Sequence, residues 1–177
     1  MSVVDFRALD MAQEPEIGSR VERLIGPPMA IFGTKFIPNL LGVGTSVNWH
    51  QDYVYFNTGS GQIISCANCL EESDQSNDCL RVIPGSHKQG ITEHDRSGPV
   101  DGKGYKVEID ESKAVDVVCP GGTVVLFSAN MLHGTNDNEP DESSGKSRYS
   151  TAWNYVKPDV DLPPYGSGSY ADWHVLS

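Results

Sequence analysis

The chain has 177 residues and a formal net charge of −11, long enough for one domain with a buried core. Hydrophobic residues make up 38% and charged residues 21%, a globular balance rather than a disordered one. The acidic surplus argues against nucleic acid or an anionic membrane as main partner, because both select basic surfaces.

No apolar run approaches the roughly 20 residues needed to cross a bilayer. The start, Met1-Ser2-Val3-Val4-Asp5, shows neither the basic nor the apolar region of a secretory signal. A soluble, cytoplasmic protein is the expectation.

Residues 1–28 read as an N-terminal extension in which 19–25 form a short helix, stopped by Gly26-Pro27-Pro28. Residues 29–37 are a strand closed by Pro38-Asn39, and the glycine-rich 40–46 form a loop leading to Trp49-His50-Gln51-Asp52. Residues 53–56 continue as strand or near-strand and end at Asn57-Thr58-Gly59-Ser60-Gly61. Residues 62–70, nearly continuous and apolar, are the best candidate for a central strand. An acidic surface loop follows over 71–78, then a strand over 79–83 stopped by Pro84-Gly85-Ser86.

Residues 87–103 form a long polar loop, and loops of that length often carry function. Residues 105–109 alternate as a half-exposed strand should. Residues 114–118 and 123–127 are expected to pair as a hairpin around Pro120-Gly121-Gly122. After an acidic, serine-rich loop over 136–146, residues 148–156 are the last strand, and 157–177 form an irregular tail. Many short strands, little helix and frequent Gly/Pro turns predict one all-β domain over 1–177, a sandwich or jelly roll.

Four cysteines raise the question of zinc or disulfides. Cys66 and Cys69 form a C-x-x-C, but Cys79 and Cys119 are isolated, so the second close pair of a structural zinc site is missing. Positions three apart on a strand also face opposite ways. Buried free thiols are expected.

The chemistry concentrates at His50-x-Asp52. On an extended segment these two heads share a face and can reach one metal ion. His133, from a distant strand, completes a two-histidine, one-carboxylate facial triad, the donor set that leaves open positions on Fe(II). His87 reads as a structural residue of its turn, while His94 and His174 fall in polar segments and read as exposed.

Trp49-His50-Gln51-Asp52, the run from Asn77 to Lys88 with its Pro84-Gly85-Ser86-His87-Lys88 ending, Pro120-Gly121-Gly122-Thr123, His133-Gly134-Thr135 and Arg148 resemble the phytanoyl-CoA dioxygenase family. The resemblance runs from about Lys35 to Tyr155. It implies a double-stranded β-helix, jelly-roll and cupin-like, with little flanking helix. It also implies an oxygenase using Fe(2+), 2-oxoglutarate and O2, with release of succinate and CO2.

Carried onto this chain, the resemblance makes His50, Asp52 and His133 the iron ligands. It makes Arg148 the bidentate partner of the distal 2-oxoglutarate carboxylate, with Thr135 helping. Gln51 and Lys35 are further candidates to reach the co-substrate. The chain departs from the family pattern in a longer interval from His133 to Arg148, which brings Lys146 in as a competitor for the Arg148 role. Its front is also shorter than the family's.

An aspartate at position 52 favours hydroxylation over halogenation, since halogenases of this family carry a small residue there. The other reading is a jelly-roll or cupin-type metal-binding or non-catalytic protein that ignores 2-oxoglutarate. Arg148 and Thr135 speak against it, because such a protein needs no keto-acid clamp. The substrate is expected to be a small neutral or cationic molecule, given the chain's acidity, met by the loops at 57–61, 71–78, 87–104 and 136–147.

Overall fold

The computed structural model describes residues 10–42, 46–56, 62–95, 105–136, 146–160, 162 and 174–176. Among them, helix α1 (Pro15–Ile25) precedes β1 (Met29–Asn39) and β2 (Val47–His50), and a single helical turn α2 (Tyr53–Phe56) leads to β3 (Ile64–Cys69). There follow β4 (Arg81–Val82), β5 (Val115–Asp116), β6 (Val124–Ser128), β7 (His133–Thr135), β8 (Arg148–Val156) and β9 (His174–Leu176). One sheet has the order β6-β3-β8-β1-β9 and the other β2-β7-β4-β5. Every pairing is antiparallel, and the whole is the all-β jelly roll of a double-stranded β-helix.

The two strands expected from apolar runs, β3 and β8, are neighbours at the centre of the larger sheet. Directly opposed residues of antiparallel strands share a face, so the register lays out this sheet's inner surface row by row. Phe127, Ser65, Asn154 and Phe32 form one row, and Val125, Ala67, Ala152 and Lys35 the next. Cys69, Ser150 and Ile37 follow, then Arg148 and Asn39. Successive rows lie about 7 Å apart along the strands.

The outer face of the same sheet is covered by α1. Val21 is fully buried against Met29, Ile31, Ile64, Cys66, Trp153 and Tyr155. The Tyr155 hydroxyl donates to the Ala12 carbonyl at 2.6 Å, fixing the segment that leads into the helix. Pro15 opens α1, where its missing N–H costs nothing, and the Gly26 N–H closes it on the Glu22 carbonyl. The helix is therefore longer than the 19–25 read from sequence.

Several expectations change. Residues 114–118 and 123–127 do not form a hairpin: β5 pairs with β4 and β6 with β3, so the Pro120-Gly121-Gly122 turn carries the chain from one sheet to the other. Gly122, at φ +83, supplies the left-handed conformation of that turn. Residues 53–56 are a helical turn rather than strand, with the Val54 and Tyr55 N–H groups bonded to the Gln51 and Asp52 carbonyls. A four-residue apolar run carries no period that separates the two states.

The 79–83 segment contributes only Arg81–Val82 as strand. Residues 105–109 keep their alternating burial but make only the single bridge Asp95↔Lys106. Strand β1 continues through Pro38, opposite Tyr149, and residues of the tail form β9 against Met29–Ile31. The loop expectations for 57–61, 96–104 and 137–145 lie outside the described residues. The four cysteines are buried and free, as read from their spacing. No described helix is long and apolar enough to cross a membrane.

Gly134 and Gly18 make opposite demands. A Cβ at Gly134 would lie 2.9 Å from the Val47 carbonyl oxygen, between two paired strands that cannot part cheaply, so Gly134→Ala is expected to destabilise by about 1–3 kcal/mol. A Cβ at Gly18, inside α1, meets nothing within 4 Å, and Gly18→Ala is expected to stabilise by about 0.5–1 kcal/mol. Urea unfolding of both variants checks the pair.

Candidate metal centre

His50 ends β2 and His133 begins β7, and the register sets them directly opposite each other. Their ring centroids are 4.2 Å apart. The strand stops at His50, and the chain turns before α2, so Asp52 reaches the histidines from a turn rather than along an extended segment. One ligand atom from each of His50, Asp52 and His133 lies within 4.8 Å of the others. Among the described residues this is the one group of three with that geometry.

Each imidazole is held in a single tautomer. The Nδ1 of His50 is 2.7 Å from the Asn48 carbonyl and that of His133 is 2.9 Å from the Met131 carbonyl. A carbonyl only accepts, so both Nδ1 atoms carry the proton. The Nε2 lone pairs are thereby left toward Asp52 Oδ1, at 3.5 and 3.7 Å. Ser65 Oγ donates to the other carboxylate oxygen, Asp52 Oδ2, at 2.5 Å, and its partner Asn154 is 3.0 Å away.

Burial works against ionising Asp52, but His133 and His50 outweigh it and hold the carboxyl well below the usual carboxylate range. Burial, then the neighbouring His50, pushes His133 down to about 4. The donor set is two imidazole Nε2 atoms and a carboxylate oxygen, which suits Fe(II). The Tyr55 ring stands edge-on to His50 at 5.6 Å and Phe127 edge-on to His133 at 4.8 Å, so both ligand rings are packed in place.

Lys35 shares the inner face with Ala152 and Ala67. Its Nζ lies 5.9 Å from the Tyr55 ring centre, and its charge acts on both Asp52 and His133. Thr135 sits one pleat from His133, its hydroxyl accepting from the Val47 N–H at 3.0 Å.

Arg148 is buried on the same inner face, two rows beyond Lys35. Its guanidinium donates to the Asn77 and Asp78 carbonyls at 3.3 and 2.8 Å and to Ser150 Oγ at 3.3 Å, using three of its five N–H donors. Between Arg148 and the triad the inner surface is floored by the small side chains of Ala67, Ala152 and Ser150. Lys146, by contrast, is exposed and lies 3.6 Å from Glu72.

Gln51 is placed differently from its sequence expectation. It is fully buried, with Nε2 donating to the Gly90 and Asn130 carbonyls and Oε1 accepting from the Thr92 N–H. That amide is committed to neighbouring loops. His94, read as exposed, is 8% exposed; its polar sequence neighbours gave no sign that the chain folds back over it. Ser65 was also missed, because a serine in an apolar strand carries no signal of the carboxylate it will face.

The family model of phytanoyl-CoA dioxygenase matches residues 4–148, and the chain belongs to that family. Human peroxisomal phytanoyl-CoA dioxygenase is 34% identical over 71% of this chain and 40% of its own length. A probable alpha-ketoglutarate-dependent hypophosphite dioxygenase of Stutzerimonas stutzeri is 25% identical over 75% of this chain and 47% of its own. Among solved structures, the apo form of the non-heme monooxygenase ThoJ is similar with a TM-score of 0.70 and 29% identity, covering 85% of this chain and 55% of that one. EctD of S. alaskensis, solved with 2-oxoglutarate and 5-hydroxyectoine, has a TM-score of 0.70 at 20% identity over 90% of this chain and 56% of that one, which speaks for the fold. The chain spans about half the length of these relatives.

The neutral, buried His133 sets the pH response of the metal-free protein. Its value falls from 6.5 to about 4 on folding, so below 6.5 the unfolded chain takes up a proton that the folded one refuses. Stability is then complete above about 6.5 and lost as pH falls toward 4. The urea midpoint of the apoprotein should decline across that interval; a midpoint that is flat down to 4 would contradict this account.

Proposed function

We propose that this chain is the jelly-roll catalytic domain of a non-haem Fe(II)- and 2-oxoglutarate-dependent oxygenase that oxidises a small molecule. The observation that carries it is the convergence of His50, Asp52 and His133 across from the face of the larger sheet on which Arg148 is buried. A cupin-type metal protein needs no keto-acid clamp, whereas a buried Arg148 with two N–H donors beyond its three bonds to Asn77, Asp78 and Ser150 fits one.

The residues divide the work. His50, Asp52 and His133 would hold the iron through two imidazole nitrogens and one carboxylate oxygen, and Ser65 orients that carboxylate. Arg148 receives the distal carboxylate of 2-oxoglutarate with its remaining N–H donors, and the Thr135 hydroxyl keeps its own proton for the same anion. Ala67 and Ala152 leave room on the face between Arg148 and the triad, and the Lys35 ammonium on that row would offset the charge of a bound dianion. Gln51 is left out of this set because its amide is already filled.

Bound iron, with 2-oxoglutarate and O2, supplies the oxidising power, the keto acid being decarboxylated to succinate and CO2. The chain's own part is to fix three donors, anchor one dianion and shield the space between the sheets from water. Asp52 would supply the carboxylate ligand that a halogenase replaces with halide, which favours hydroxylation. The chain's acidity favours a neutral or cationic substrate.

Anaerobic titration with Fe(II) and then 2-oxoglutarate tests the reading. A weak visible charge-transfer band should appear only when both are present. His133→Ala should abolish it, while Arg148→Gln should leave iron binding intact and weaken 2-oxoglutarate at least tenfold. An Arg148→Gln protein with unchanged 2-oxoglutarate affinity would remove the clamp from the account.

A further inference from the structure

The peptide joining His50 to Gln51 lies inside the metal-binding turn, and its N–H is buried with Gln51. That N–H donates to Nε2 of His94 at 3.0 Å. The Nδ1 of His94 is 2.7 Å from the Thr92 carbonyl, and since a carbonyl only accepts, Nδ1 carries the proton and Nε2 the lone pair. His50 and His133 use the same bond to the carbonyl two residues back. In those two the freed lone pair faces the metal site; in His94 it faces the peptide on which the site is built.

The segment carrying His94 is itself tied to the same turn. Gly90 accepts from, and Thr92 donates to, the Gln51 side chain, and Asp95 exchanges two backbone bonds with Lys106 at 2.7 and 3.3 Å. Gln51 is thus held through its peptide and through its amide by one stretch of chain. The residues at either side of it are His50 and Asp52.

We propose that His94 is a positioning residue of the metal centre, which sets the angle between His50 and Asp52 through the Gln51 peptide without touching metal or substrate. The proposal rests on the metal-site reading given above. Groups that orient metal ligands from behind typically change metal affinity by 10–100-fold when removed.

The test is Co(II) binding to the apo form of the whole chain, followed by its visible absorption, with apoprotein melting measured alongside. His94→Gln keeps an oxygen acceptor near the Nε2 position, whereas His94→Asn is too short to reach the Gln51 N–H and His94→Leu has no acceptor. Co(II) affinity should fall tenfold or more in His94→Asn and His94→Leu and stay within about threefold of the parent in His94→Gln. If His94→Leu does not fold, the Asn and Gln variants decide between them. Equal affinity in those two variants, or a loss that only follows their melting temperatures, overturns the positioning role while leaving the metal centre standing. A parent protein that binds no Co(II) overturns both.

Discussion

The pairing of β2 with β7 is the constraint on which the site depends. Two strands of three and four residues put His50 directly opposite His133. The approach is tight enough that position 134 has no room for a side chain. A slip of one residue in this short ladder would turn His133 to the opposite face and put Gly134 in its place. The remainder of the fold serves to keep that register: α1 closes the outside of the larger sheet, and the larger sheet presents Ser65, Lys35 and Arg148 to the opening between the two.

The site also shows how a buried polar cluster is kept within bounds. Two imidazoles and a carboxylate away from water are costly when unpartnered. Here each Nδ1 is bonded to its own chain and each carboxylate oxygen has a histidine or a serine beside it. The atoms left over are the two Nε2 lone pairs and the carboxylate facing them. Preorganisation of this kind is what a metal site needs, since the donors do not have to be turned or desolvated when the ion arrives.

Much of this was legible in the sequence, for identifiable reasons. Arg148–Val156 appears as a strand with the same bounds because nine residues of alternating and apolar character leave no competing reading. His50, Asp52 and His133 stand out because their spacing is a matter of ligand chemistry. What was not legible is of two kinds. The hairpin expected across Pro120-Gly121-Gly122 failed because a turn signal says that the chain reverses, not which sheet it joins. Gln51 and His94 were misplaced because an amide flanked by candidate metal ligands looks like part of the chemistry, and a histidine in a polar loop looks exposed. Only the folded loop shows them bonded to one another.

X-ray absorption on the Fe(II)-loaded protein tests the central claim most directly, because it counts ligand types without needing a substrate. The account predicts a first shell of nitrogen and oxygen only, with outer-shell scattering from two imidazoles, and the loss of one of them in His133→Ala. A sulfur neighbour drawn from the buried cysteines, or a shell without imidazole scattering, would place the metal elsewhere and contradict the assignment of His50, Asp52 and His133.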